Sequence, residues 1–165
     1  MLSAFFQGVP LAFSGRSNSQ RTARGNSGAI LAQFFTGVAE DLAERPVVQP
    51  REFAVAVQAG ARSARQAMAE PREGTILSVI HAFADALEEQ PAPTDSARQW
   101  FGPAVARARQ ALADTPKQLP VLQKAGVVDA GAQGFVDLLE GIQEFIEGGS
   151  EAANRAEVES LADLE

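Results

Sequence analysis

Apolar positions recur every three or four residues through most of this chain, the spacing of helices that bury one face. Ile30, Leu31, Phe34, Phe35, Val38 and Leu42 form one stripe and predict a helix over 28–43, with Glu40, Asp41 and Glu44 on its wet side. Pro46 and Pro50 end it and open the next. Phe53, Val57, Gly60 or Ala61, Ala64 and Met68 predict a second helix over 51–69, whose small residues suit close helix packing. Thr75 is the expected N-cap of a third over 75–89, with Ile76, Leu77, Val79, Ile80, Phe83 and Leu87 inside. A fourth runs over 95–113 on Trp100, Phe101, Val105, Ala108 and Leu112, with Pro103 marking its true start or a kink. Thr115-Pro116-Lys117-Gln118 reads as a fresh helix opening, with N-cap, first-position proline and capping-box glutamine. That short helix contains Pro120 and ends at Gly126. A last apolar helix carries Phe135, Val136, Leu138, Leu139, Ile142, Phe145 and Ile146, and Gly148-Gly149 is expected to stop it. No stretch alternates with period two and nothing repeats. The chain is therefore read as all-α, an antiparallel helical bundle.

Three segments stand outside this pattern. Residues 1–13 are apolar and predict a short helix broken near Pro10. Residues 14–24 are polar and hold Arg16, Arg21 and Arg24, so they read as a solvated loop or as a basic approach to an anion site. Residues 150–165 are acidic and read as a linker or frayed tail.

Composition narrows the options. The 165 residues suit one domain with a real core. With no Cys there is no disulfide framework, thiolate metal site or Cys nucleophile. A net charge of −7 speaks against a nucleic-acid partner. No apolar run reaches the ~20 residues a membrane span needs. Residues 1–13 lack a basic start and are interrupted by Gln7, Gly8 and Pro10, so they are not read as a secretion signal, and a cytoplasmic location is expected.

The candidate chemistry lies in three polar turns that each feed an apolar helix. Gly25-Asn26-Ser27-Gly28 puts two good capping residues between glycines at a helix start, where free N–H groups and the positive dipole end favour a phosphate. Glu73-Gly74-Thr75 and Ala125 to Gly134 are the second and third turns. Taken singly, such a turn is a weak signal, because many helices begin with a capped glycine turn and bind nothing. In an antiparallel bundle, alternate junctions lie at one end, so the three can form one composite site. His81, the single histidine, has no nucleophilic or acidic neighbour at useful spacing and reads as structural or surface.

Together the turns resemble a known family. Ala23 to Leu31, Pro71-Arg72-Glu73-Gly74-Thr75-Ile76-Leu77 and Leu119 to Gly131 are similar to the three turn motifs of the DhaL-type domain, the nucleotide-binding domain of dihydroxyacetone kinases. The wording is closer to the N-terminal domain of the bacterial fatty-acid kinase catalytic subunit. The resemblance covers about residues 21–147, and divides the chain into an atypical segment 1–22, a DhaL-like domain 23–147 and an acidic tail 148–165. It implies an antiparallel helical barrel with ATP or ADP at one rim, and makes Gly25, Asn26, Ser27, Gly28, Thr75, Asp129 and Gly131 the candidate cofactor-binding residues. Whether Asp129 touches nucleotide or only caps the last helix stays open.

One departure weighs against full activity. The family carries an Asp-Gly-Asp-Thr-Gly motif upstream of the first turn, whose carboxylates hold Mg²⁺. This chain has no Asp or Glu before Glu40, so no catalytic or metal-ligating residue is assigned, and the first helices of the family domain are also missing. A fragment, a degenerate homologue and a site completed by another chain all fit. The resulting expectations are a kinase domain acting on glycerone or on a fatty acid presented by a DegV-like protein, impaired in this chain; a non-catalytic nucleotide- or lipid-binding module; or a helical interaction domain whose open face forms a homo-oligomer or binds a partner.

Overall fold

Proline, glycine and capping residues cut the chain into helices at the points where the backbone loses its donors. The computed structural model describes the backbone of residues 26–91 and 97–162, and the side chains of 27–91 and 98–148. Expectations about residues 1–22, about Gly25 and about the loop before Ala97 lie outside the described residues. Among the described residues there are six helices and no strand: α1 (Asn26–Leu42), α2 (Pro50–Gln66), α3 (Ile76–Glu89), α4 (Ala97–Gln118), α5 (Pro120–Ala125) and α6 (Ala130–Ala162).

The local signals are visible at each start. Pro50 occupies the first position of α2, and the Gln49 N–H donates to Glu52 Oε2 at 2.9 Å, which holds the Glu52 carboxyl below the usual range. Thr75 caps α3. Pro120 opens α5 rather than falling within it, and Gly126 closes it with φ of 67°.

Two expected breaks do not occur. α4 runs unbroken through Thr115-Pro116 to Gln118, so no new helix opens at Thr115. Pro116 lacks the N–H that would bond the Leu112 carbonyl, but Thr115 Oγ1 donates to that carbonyl at 2.8 Å and fills the place. Thr115 is also fully buried, which a solvent-facing cap is not. α6 likewise continues past Gly148-Gly149 to Ala162. Two glycines cost a helix about 1 kcal/mol each relative to Ala, a penalty and not a stop.

The core is a stack of aromatic and aliphatic side chains between the helices. Phe34, Phe135, Phe83 and Phe101 form a chain of edge-to-face pairs, with ring centroids 5.5, 6.1 and 5.5 Å apart. Each such pair contributes about 0.5–1.5 kcal/mol beyond its buried area. Trp100 closes one end, edge-on to Phe53 and donating from Nε1 to the Leu87 carbonyl at 3.3 Å, near the C-terminus of α3. α1 and α2 pack closely: a Cβ on Gly60 would stand 2.6 Å from the Phe34 carbonyl oxygen. Phe35 is not core. It is 47% exposed because Phe34, one residue earlier, takes the inward position against Phe135. Leu138 is exposed for the same reason of helical phase, with Phe135, Val136 and Leu139 turned inward.

Candidate functional site

The direction of the helices brings the three turns together. α1, α3 and α6 begin where α2 and α4 end, so their N-termini surround one cavity of about 540 Å³. Ser27 from the first turn of α1, Thr75 from the cap of α3 and Asp129 from the cap of α6 all line it. Met68, in the segment that follows α2, and Ile76 supply apolar wall. Three helix N-termini aimed at one space concentrate free amides and positive dipole ends there.

Each polar side chain is fixed by its turn. Thr75 Oγ1 donates to the Arg72 carbonyl at 2.7 Å and sits 3.4 Å from the Leu77 amide, which pins residues 72–75 against the start of α3. Gly74 takes φ of 76°, a left-handed conformation, where a Cβ would stand 2.9 Å from Thr115 O and from Gln118 Cβ. The Gly74 N–H donates to Ser78 Oγ, and Ser78 Oγ donates to Glu73 Oε2 at 2.6 Å. That bond, and then Arg65 at 3.2 Å, hold the Glu73 carboxyl below the usual range. Asp129 Oδ1 accepts from the Ala132 N–H at 2.8 Å, and the Asp129 N–H donates to Thr115 Oγ1 at 3.2 Å. Asp129 therefore both caps α6 and faces the cavity. Gly131 presses on Ser27: a Cβ there would stand 2.5 Å from Ser27 Cβ, so only glycine lets the first and third turns touch.

Of the other expected site residues, Asn26 is the first residue of α1, and Ser27 lies inside its first turn rather than at its cap. Gly28 is exposed on that turn. Gly25 lies outside the described residues. The sequence reading missed Arg72 and Glu70, which also line the cavity. Arg72 stood inside the second turn motif, and its signal was a cation three residues before the cap of a helix.

His81 lies away from this cavity. It is half-buried, and its Nε2 has no hydrogen-bond partner among the described residues. It lines a separate polar hollow of about 340 Å³ with Arg65, Asp85, Arg107 and Asp114. Burial, and then the Arg65 charge, push its imidazole below the ordinary value, against the pull of Asp85 and Glu73.

The sequence profile of the DAK2 domain matches residues 15–144 of this chain. The chain belongs to the DAK2 domain family. That membership ties it to the dihydroxyacetone kinases and to nucleotide binding in general, and the all-α DAK2 fold agrees with the six helices. This DAK2 domain is 36% identical over 126 residues to an uncharacterized protein of Staphylococcus saprophyticus, covering 76% of this chain and 23% of the relative. It is 34% identical over 137 residues to an uncharacterized protein of Staphylococcus aureus strain USA300, covering 83% of this chain and 25% of that one. The chain thus spans about a quarter of the length of these curated relatives. No helix among the described residues is long and apolar enough to cross a membrane.

The DhaL resemblance implies Mg²⁺ beside the phosphates, and Glu70 and Asp129 are the carboxylates that face the cavity among the described residues. One oxygen of Asp129 is committed to capping α6, and Glu70 is paired with Arg72 at 3.6 Å. No group of three acidic or histidine residues able to hold a metal ion occurs among the described residues.

Proposed function

We propose that this chain is a nucleotide-binding domain of the dihydroxyacetone and fatty-acid kinase type, with ATP or ADP in the 540 Å³ cavity. The observation that carries the reading is the meeting of Ser27, Thr75 and Asp129 at the N-termini of three helices. Backbone amides there suit phosphate oxygens, and Met68 and Ile76 suit the flat face of a base. The reaction of the type is transfer of the γ-phosphate to a small acceptor, glycerone or a fatty acid presented by a DegV-like protein, in the cytoplasm. This chain by itself performs that transfer poorly, because charge neutralisation at the phosphates is the larger part of such catalysis and the metal-binding carboxylates are missing. A non-catalytic nucleotide-binding module is the second reading, and the incomplete donor set favours it.

Titrating ATP into the chain in a calorimeter tests the site. Ser27→Ala removes a hydroxyl with no protein partner among the described residues, and Asp129→Asn keeps the cap while removing the charge. At least one is expected to change ATP affinity severalfold. Unchanged affinity in both would sink the composite site. Phosphoryl transfer to dihydroxyacetone or fatty acid at the full rate of a kinase, about 1–100 per second, would overturn the impairment.

A further inference from the structure

We propose that Thr115 is a positioning residue for the nucleotide site: its hydroxyl anchors the third turn to the end of α4, and its backbone seats the second. The proposal rests on the nucleotide reading and names what holds two walls of that cavity at their spacing.

Thr115 does not itself line the cavity. It is fully buried, so its polar atoms find their partners within the protein. Pro116 decides how. It leaves the Leu112 carbonyl without its helical donor, and the Thr115 hydroxyl proton goes there at 2.8 Å. A hydroxyl has a single proton, so towards any other neighbour Oγ1 only accepts. That neighbour is the Asp129 N–H at 3.2 Å, on the residue that precedes α6. Asp129 is thereby tied to α4 by its backbone. Its side chain ties it to α6, accepting from the Ala132 N–H at 2.8 Å.

The same residue meets the second turn through its backbone. A Cβ on Gly74 would stand 2.9 Å from the Thr115 carbonyl oxygen, and that oxygen accepts the Leu119 N–H at 3.0 Å. Gly74 directly precedes Thr75, the cap of α3. One buried residue therefore touches the turns that carry Thr75 and Asp129, both of which line the cavity. With the hydroxyl gone, Asp129 still caps α6, but its N–H loses its acceptor on α4 and the third turn is free to drift from Thr75. Groups that bind a ligand together need their spacing held to about 0.5 Å, so that drift weakens binding without removing any group that touches the ligand.

Titrating ATP with Mg²⁺ into the whole chain in a calorimeter tests this, at a temperature where circular dichroism shows every variant folded. Thr115→Val removes both hydrogen bonds and is expected to lose about tenfold in ATP affinity, the scale of one well-placed hydrogen bond. Thr115→Ser keeps the hydroxyl and should bind within about twofold of wild type. Val105→Ala loosens the same helix at a buried position that does not line the cavity, and should bind ATP as wild type does. Amide exchange in the wild type gives a reading independent of any variant: the Asp129 N–H should be protected in the free chain and slowed further by ATP. Equal ATP affinity for Thr115→Val and wild type would overturn the positioning role and leave the nucleotide site standing. A loss in Val105→Ala or Thr115→Ser as large as that in Thr115→Val would do the same, because it would trace the effect to packing and not to the hydroxyl. A freely exchanging Asp129 amide would remove the anchor and the proposal. Absence of ATP binding by the wild type would overturn the nucleotide reading itself, and this proposal with it.

Discussion

Gly131 has no room for a methyl group, because Ser27 already occupies the space. Gly131→Ala is expected to cost about 1–3 kcal/mol in urea unfolding, as overpacking does, and to weaken ATP binding by separating the first and third turns. His81 gives a second measurable consequence. Its folded pKa lies below its unfolded value, so the unfolded chain takes up a proton first. Stability is therefore full above the ordinary imidazole value of about 6.5 and is lost as pH falls through that value towards the folded one. Glu73, also depressed, adds a second loss below its ordinary value of 4.5. Urea midpoints between about pH 7 and 5 should fall in the wild type, and His81→Gln should flatten that slope. At this scale the inward residues were largely legible. Ile76, Leu77, Val79, Ile80, Phe83 and Leu87 are all buried, as their spacing predicts. Phe35 was not legible, because two adjacent phenylalanines lie about 100° apart on a helix and spacing alone does not choose which faces in.

Helix boundaries depended on whether punctuation residues found substitutes. Thr115-Pro116 has every sign of a helix start, yet its hydroxyl satisfies the carbonyl that the proline abandons. No one-dimensional rule sees that bond, because the same hydroxyl also accepts the Asp129 N–H from a turn fourteen residues later. Thr115→Val keeps the shape and removes both bonds. It is expected to cost about 2–3 kcal/mol by leaving buried groups unsatisfied, while Thr115→Ser stays close to wild type. Denaturant unfolding of the pair of variants separates hydrogen bonding from packing. The end of α1 carries a different cost. Glu44 has φ of 71°, a left-handed conformation that side chains disfavour. Glu44→Gly is expected to raise the unfolding midpoint, by relieving roughly 1 kcal/mol of strain.

For the molecule as a whole, the alternation of short turns and apolar stripes placed the three glycine-bearing junctions at one end, and the cavity between α1, α3 and α6 lies where that alternation puts it. What the alternation could not supply was the part of the cavity wall that comes from the segment after α2. Arg72 belongs to no periodic face, and its relevance comes from where the segment after α2 crosses the cavity. The same global packing predicts that Phe135→Ala, at the centre of the aromatic chain, costs about 3–5 kcal/mol, measurable as a lowered thermal midpoint.

The contact between Ser27 and Gly131 joins the first and third turns in one wall. Without α6 the cavity keeps Ser27 and Thr75 and loses the cap and the glycine that close it, so the wall is complete only when sequence-distant turns have docked.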